Sequence, residues 1–266
     1  MQGHRPLVAD HLRRALALYR QTGERAGEAR ALGNLGVFHG RQGQYGVAST
    51  HLKQALRLLR ETGETHGEAM ALGNLGWVHM LEGRYGEAGE YLGRAVDLCR
   101  RIDHRVGLAF ALDSLGQLQA RLGRFRDAAE HHGRALAIYR QTSQPVGEAS
   151  ALIGLADALL RVGDPLIART YYQRALAISA QIGDRAQQAR AHAGLARVGH
   201  HLADDVWEHW WQALAHYSAI GAPEADEIRA RLTAADRPEP TRSPGEPERV
   251  DHAIDTPLVT GPAPGR

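Results

Sequence analysis

Apolar residues return along the chain at helical spacing in short blocks, and each block ends in a glycine with a few polar neighbours. One stretch carries Ala31, Leu32, Leu35 and His39, then Tyr45, Ala48, Leu52, Ala55 and Leu56. This i, i+3, i+4 recurrence belongs to helices that bury a single stripe. Gly43 separates the two blocks, so together they predict a helical hairpin. The pattern then recurs every forty residues: Gly43, Gly83, Gly123 and Gly163 keep step, as do Ala48, Ala88, Ala128 and Ala168. Leu-Gly-Asn-Leu-Gly at 32–36 returns at 72–76, and as Leu-Asp-Ser-Leu-Gly at 112–116. A unit of this size cannot bury its apolar face alone, so tandem copies must stack on one another. Small residues such as Gly36, Ala48 and Ala55 fall where two helices have to approach closely.

The expected architecture is all-α, an α-solenoid of antiparallel helix pairs with a C-terminal capping helix. Residues 1–22 supply a partial unit consisting of a second helix only, and 23–220 supply five units with a period of about 40. In the fifth, Ala213 follows Ala175 by 38 residues rather than 40, two residues being lost near 202–205. Residues 221–234 predict the cap, with acids early and arginines late to complement the helix dipole. Seven of the eleven prolines fall after Thr233 among charged and small residues, which predicts a disordered tail over 235–266. Because the array opens half-way through a unit, three readings stand open: a mis-assigned start, the repeat arm of a larger regulator, or an edge covered by another subunit.

Leu32, Leu35-Gly36, His39, Ala48, Leu52 and Ala55 resemble the tetratricopeptide pattern of large, Leu-Gly, aromatic, Ala, aromatic and Ala positions. The forty-residue variety is similar to the repeats of the LGN and kinesin light chain families, over residues 7–220. The run 210–232 resembles the last repeats of actinobacterial regulators that carry an NB-ARC module or a streptomycete antibiotic regulatory domain. The resemblance implies a right-handed superhelix, with the first helix of each pair lining the concave surface. It also implies a module that binds a protein or peptide.

On that implied concave phase stand Arg30, Asn34, Val37 and Arg41 in the first unit and Met70, Asn74 and Trp77 in the second. Phe110, Ser114, Gln117 and Arg121 follow in the third, then Arg161 and Arg190. Asparagine can donate to and accept from a peptide backbone at once, so Asn34 and Asn74 are candidates to hold an extended segment. Met70, Trp77, Met80 and Phe110 could form an apolar anchor pocket. Arg121, Arg161 and Arg190 could pair with acidic groups of a ligand.

Composition narrows the function further. A net charge of +2 with Lys53 as the only lysine among 32 basic residues is no argument for nucleic acid. A base-reading helical repeat would need a repeated polar pair, whereas Asn34 and Asn74 give way to Ser114 and Gly154. The one cysteine, Cys99, sits on an apolar face. The adjacent pairs His131-His132 and His200-His201 point to different sides of a helix, and no metal-ligand motif accompanies them. No phosphate loop, nucleophile elbow or dinucleotide fingerprint occurs, so neither an enzyme nor a cofactor or metal is expected. Without a signal sequence or a run of about 18 apolar residues, a cytoplasmic location and no membrane are expected. The function expected is an interaction module, the sensor or regulatory arm of a signalling or transcriptional regulator. A sensor of a short signalling peptide, a scaffold self-associating through its N-terminal edge, and an RNA-binding repeat are the alternatives.

Overall fold

The computed structural model of the chain describes residues 4–202 and 206–235, and side chains from Val8 onward. Within them lie twelve helices and no strand: α1 (His4–Thr22), α2 (Arg25–Arg41), α3 (Tyr45–Thr62), α4 (Thr65–Leu81), α5 (Tyr85–Arg101), α6 (Arg105–Arg121), α7 (Phe125–Gln141), α8 (Pro145–Val162), α9 (Pro165–Gln181), α10 (Arg185–Leu202), α11 (Trp207–Ile220) and α12 (Glu224–Ala234). The expected all-α solenoid is therefore observed. The residues where the fifth unit loses two positions, and the proline-rich stretch from 236, lie outside the described residues.

Helix boundaries follow local chemistry. Gly43, Gly83, Gly123 and Gly163 close the first helix of each hairpin at φ between 74° and 105°, a region that glycine enters without a Cβ penalty. Proline opens α8 and α9, where its missing N–H is no loss. At the second-helix turns two non-glycine residues, Asp103 and Ser143, take φ of 52°.

Each helix packs on its chain neighbours, and the even-numbered helices α2, α4, α6, α8 and α10 also touch one another in succession, whereas the odd-numbered ones do not. The even helices are therefore on the inside of the curve, and their exposed stripe is the concave surface. The core between them is built of leucine and alanine, with Leu32, Leu35, Leu52, Leu72, Leu75, Leu92 and Leu152 at most 2% exposed. Close approach depends on glycine: a Cβ at Gly36 would stand 2.5 Å from Cγ of Leu52. His79, fully buried, stacks parallel on Tyr91 at 5.3 Å between ring centres, as the aromatic phase predicts. Cys99 is 1% exposed, and burial pushes its thiol up to about 11, so it is a core residue and not a nucleophile. At the far end, Ala225, Ile228 and Leu232 of α12 cover Trp210, Ala213 and Tyr217 of α11. Arg231 lies 4.7 Å over the Trp210 ring.

Candidate functional site: the concave face

The concave stripe is laid down by the helical period, since Arg30, Asn34, Val37 and Arg41 are spaced four, three and four residues apart on α2. Asn34 is exposed and Asn74 half-buried. Among the described residues neither side chain makes a hydrogen bond, and Arg41 and Arg121, exposed at the ends of α2 and α6, make no ion pair. Arg30 lies 3.8 Å from Glu24, and Arg190 donates to Gln187 at 3.0 Å.

The expected apolar pocket is not open. Met80 is fully buried with Ala88, Leu92 and Leu118, because its phase points into the hairpin rather than along the stripe. Trp77 packs over Gly40 of the preceding inner helix, where a Cβ would come within 2.7 Å of the indole, and Phe110 packs over Gly73 in the same way at 3.2 Å. Both rings are half-buried partners in helix-to-helix packing, leaving Met70 and Val37 half-buried beside them. Ser114 is also withdrawn from the surface at 2% exposure, because it lies against the tightly packed middle of the array.

That middle holds a polar cluster that sequence reasoning missed. Asp113, with its side chain 7% exposed, accepts from His132 Nδ1 at 2.7 Å, from Ser150 at 3.3 Å and from Gln117 at 3.3 Å. Gln117 is thereby committed to the fold. One repeat later, Tyr172 donates to Asp157 at 2.5 Å, and Arg197 donates to the same oxygen at 2.7 Å. Burial, then the Asp157 carboxylate, raises the Tyr172 phenol above its ordinary value, which keeps the donor proton in place.

The two rings account for the loss of the asparagine ladder. A Cβ at Gly154 would lie 2.4 Å from His132, and one at Gly194 would lie 2.2 Å from Tyr172. His132 and Tyr172 occupy the phase that Leu52 and Leu92 hold in earlier units. The departure of these two residues from leucine was the signal available in the sequence.

Around the Asp157–Arg197 pair the concave face opens into a cavity of about 800 Å³. It is lined by Ala120, Phe125, Asp157, Leu160, Arg161, Arg197, His200 and His201 among others. Arg161 lies 4.9 Å over the Phe125 ring and has no carboxylate partner among the described residues. The arrangement combines an aromatic floor with a free guanidinium, suited to a ligand with an acidic and an apolar group. No group of three or more His, Cys, Asp or Glu placed to hold a metal occurs among the described residues, and none of their helices is long and apolar enough to cross a membrane.

No curated protein matches the sequence. Among solved structures, the Rap protein complexed with competence and sporulation factor aligns with a TM-score of 0.67 at 15% identity, covering 88% of this chain and 71% of that one. BtubC from P. vanneervenii aligns with a TM-score of 0.63 at 18% identity, over 90% of this chain and 95% of that one. A kinesin light chain protein of nearly identical repeats from Podosopora anserina aligns with a TM-score of 0.51 at 19% identity, over 78% and 94%. These likenesses are of fold. The tetratricopeptide-repeat family model matches residues 9–61, 63–141 and 147–208, which is most of the chain, and the chain belongs to the tetratricopeptide-repeat family.

Proposed function

We propose that the concave face holds an extended segment of a partner polypeptide, and that the chain is a cytoplasmic, non-catalytic sensor or regulatory arm of a signalling or transcriptional regulator. The observation that carries this reading is the free state of the concave polar groups: Asn34, Asn74, Arg41 and Arg121 have no side-chain partner within the described fold. Packing would be served as well by apolar residues there, whereas unpaired amides and guanidinia on one stripe suit a peptide backbone and its carboxylates. Affinity capture from native extract, with the full chain as bait, tests it. Replacing Asn34 and Asn74 together with alanine removes about 1 kcal/mol of hydrogen bonding per residue, so partner recovery is expected to drop about tenfold or more with melting unchanged. Undiminished recovery would remove the asparagines from the interface.

A second reading, a sensor for a short signalling peptide, is favoured by the bounded cavity at Arg161 and Phe125. Proteins of this fold include the Rap protein solved with competence and sporulation factor. Here an Arg161→Ala change, rather than the asparagine pair, would abolish capture.

A further inference from the structure

Outside the concave surface, the turn edge of the third and fourth hairpins departs from the rest of the array. The first two units place Gln42, Gly46, Glu82 and Gly86 there. At the same phases the next two place Leu122, Arg126, Val162 and Leu166, with Ile167 following. Leu122, Val162, Leu166 and Ile167 are 42%, 38%, 66% and 51% exposed. The two turns adjoin, since Val162 shares a cavity of about 390 Å³ with Gly123, Arg124, Phe125, Arg126 and Asp127, and Leu166 and Ile167 stand in the first turn of α9 just after Val162. Arg124 and Arg126 rim the patch together with Asp127, and neither arginine has a carboxylate partner among the described residues. Exposed aliphatics at adjoining turns beside two unpaired cations are the mark of a surface that something apolar with acidic groups covers.

The chain itself contains such a segment. Between Asp236 and Arg266 the only large aliphatic residues are Val250, Ile254, Leu258 and Val259. They are interleaved with Glu246, Glu248, Asp251 and Asp255, against which stands the single cation Arg249. The sixteen residues 235–250 can span about 50 Å. From α12 to α8 there are three helix contacts, through α11 and α10, or about 30 Å at common packing distances. We propose that residues 246–259 lie across this edge, with Val250, Ile254 and Leu258 against Leu122, Val162, Leu166 and Ile167, and the carboxylates against the arginine rim. The occupancy does not depend on what the concave face binds.

The test uses a fluorescein-labelled synthetic peptide of residues 246–259 and three full-length proteins. One is unchanged, one carries Ile254→Asp with Leu258→Asp so that its own segment is disabled, and one adds Leu166→Asp and Ile167→Asp to that pair. The last two positions are exposed, so melting is expected to stay the same, and circular dichroism checks it. Saturable binding is expected to the disabled chain and to be lost in the edge variant. Binding to the unchanged chain should be at least about tenfold weaker, because a tethered segment competes at an effective concentration on the order of millimolar. No binding to the disabled chain, binding that survives the edge changes, or equal affinity for the unchanged and disabled chains would each overturn the proposal. So would a concentration-dependent dimer of the unchanged chain that Leu166→Asp and Ile167→Asp abolish, since the edge would then belong to a second copy.

Discussion

Gly194 is glycine because of a ring on another helix. The equivalent positions in the first two units are Asn34 and Asn74, and the matching residues on the preceding second helices are Leu12 and Leu52. Behind Gly194 stands Tyr172, fully buried and 2.2 Å from where a Cβ would be. A Gly194→Asn change is therefore expected to destabilise by about 1–3 kcal/mol through overpacking. Tyr172→Leu alone gives up the hydrogen bond to Asp157, about 1 kcal/mol. Together the two changes restore the pairing of the earlier units, so the double variant should be more stable than the sum of the single losses by at least about 1 kcal/mol in urea unfolding. Strict additivity would show that the ring does not exclude the side chain. This coupling explains what the sequence hid. The asparagine ladder looked as though it decayed, because the cause of each glycine lies 22 residues upstream on a different helix. Ser114 and Met80 were misjudged for a related reason: phase along one helix says which stripe a residue shares, but not how deeply its neighbours bury it.

At the scale of elements, the junction between α10 and α11 gathers three histidines. His192 Nδ1 is 3.1 Å from His209 Nδ1, so one nitrogen donates to the other's lone pair, and His192 stacks on His216 at 5.8 Å between ring centres. Burial, then the two neighbouring histidines, lowers His192 to about 4, and burial likewise lowers His209 and His216. The charges facing them are Glu208, which opposes the shift at His209, with Arg169 and Arg185, which reinforce it. The sign follows from which state binds the proton. Above pH 6.5 the histidines are neutral in both states and contribute no pH dependence. Between 6.5 and about 4 the unfolded chain takes up protons that the folded chain refuses, so stability declines as pH falls. His79 and His131 are lowered too, so the discriminating measurement is a difference. Between pH 7.5 and 4.5 the melting temperature of a His192→Gln variant should drop less than that of the unchanged chain, and parallel drops would exclude His192 as a source. The sequence made the helices themselves legible, because a forty-residue period, turn glycines and apolar stripes all agree. It did not reveal this trio, since the fifth unit breaks the period between His192 and His209 and hides their common face.

For the whole molecule, the pattern of contact decides how damage spreads. Among the described residues no helix touches another beyond the next two in the chain, so stability is a sum of unit terms and nearest-neighbour interfaces rather than a property of one central core. This locality is also why the solenoid could be read from sequence, while the polar cluster at Asp113 could not. The ends and the middle should then respond differently to equal insults. Leu232 of α12 and Leu112 of α6 are 1% and 2% exposed, and truncating either to alanine removes about 2–5 kcal/mol of packing. The Leu232→Ala loss falls on a terminal helix whose backbone, among the described residues, approaches α11 alone and whose side chains cluster with those of α10 and α11. It is expected to raise amide exchange in α11 and α12 while leaving α4 to α8 protected as before. Leu112→Ala strikes an inner helix that contacts α4, α5, α7 and α8, so exchange should rise on both sides of it and the urea midpoint of the whole array should fall. Residue-resolved hydrogen exchange on both variants distinguishes this from a single cooperative domain, in which either truncation would lower protection everywhere by the same free energy.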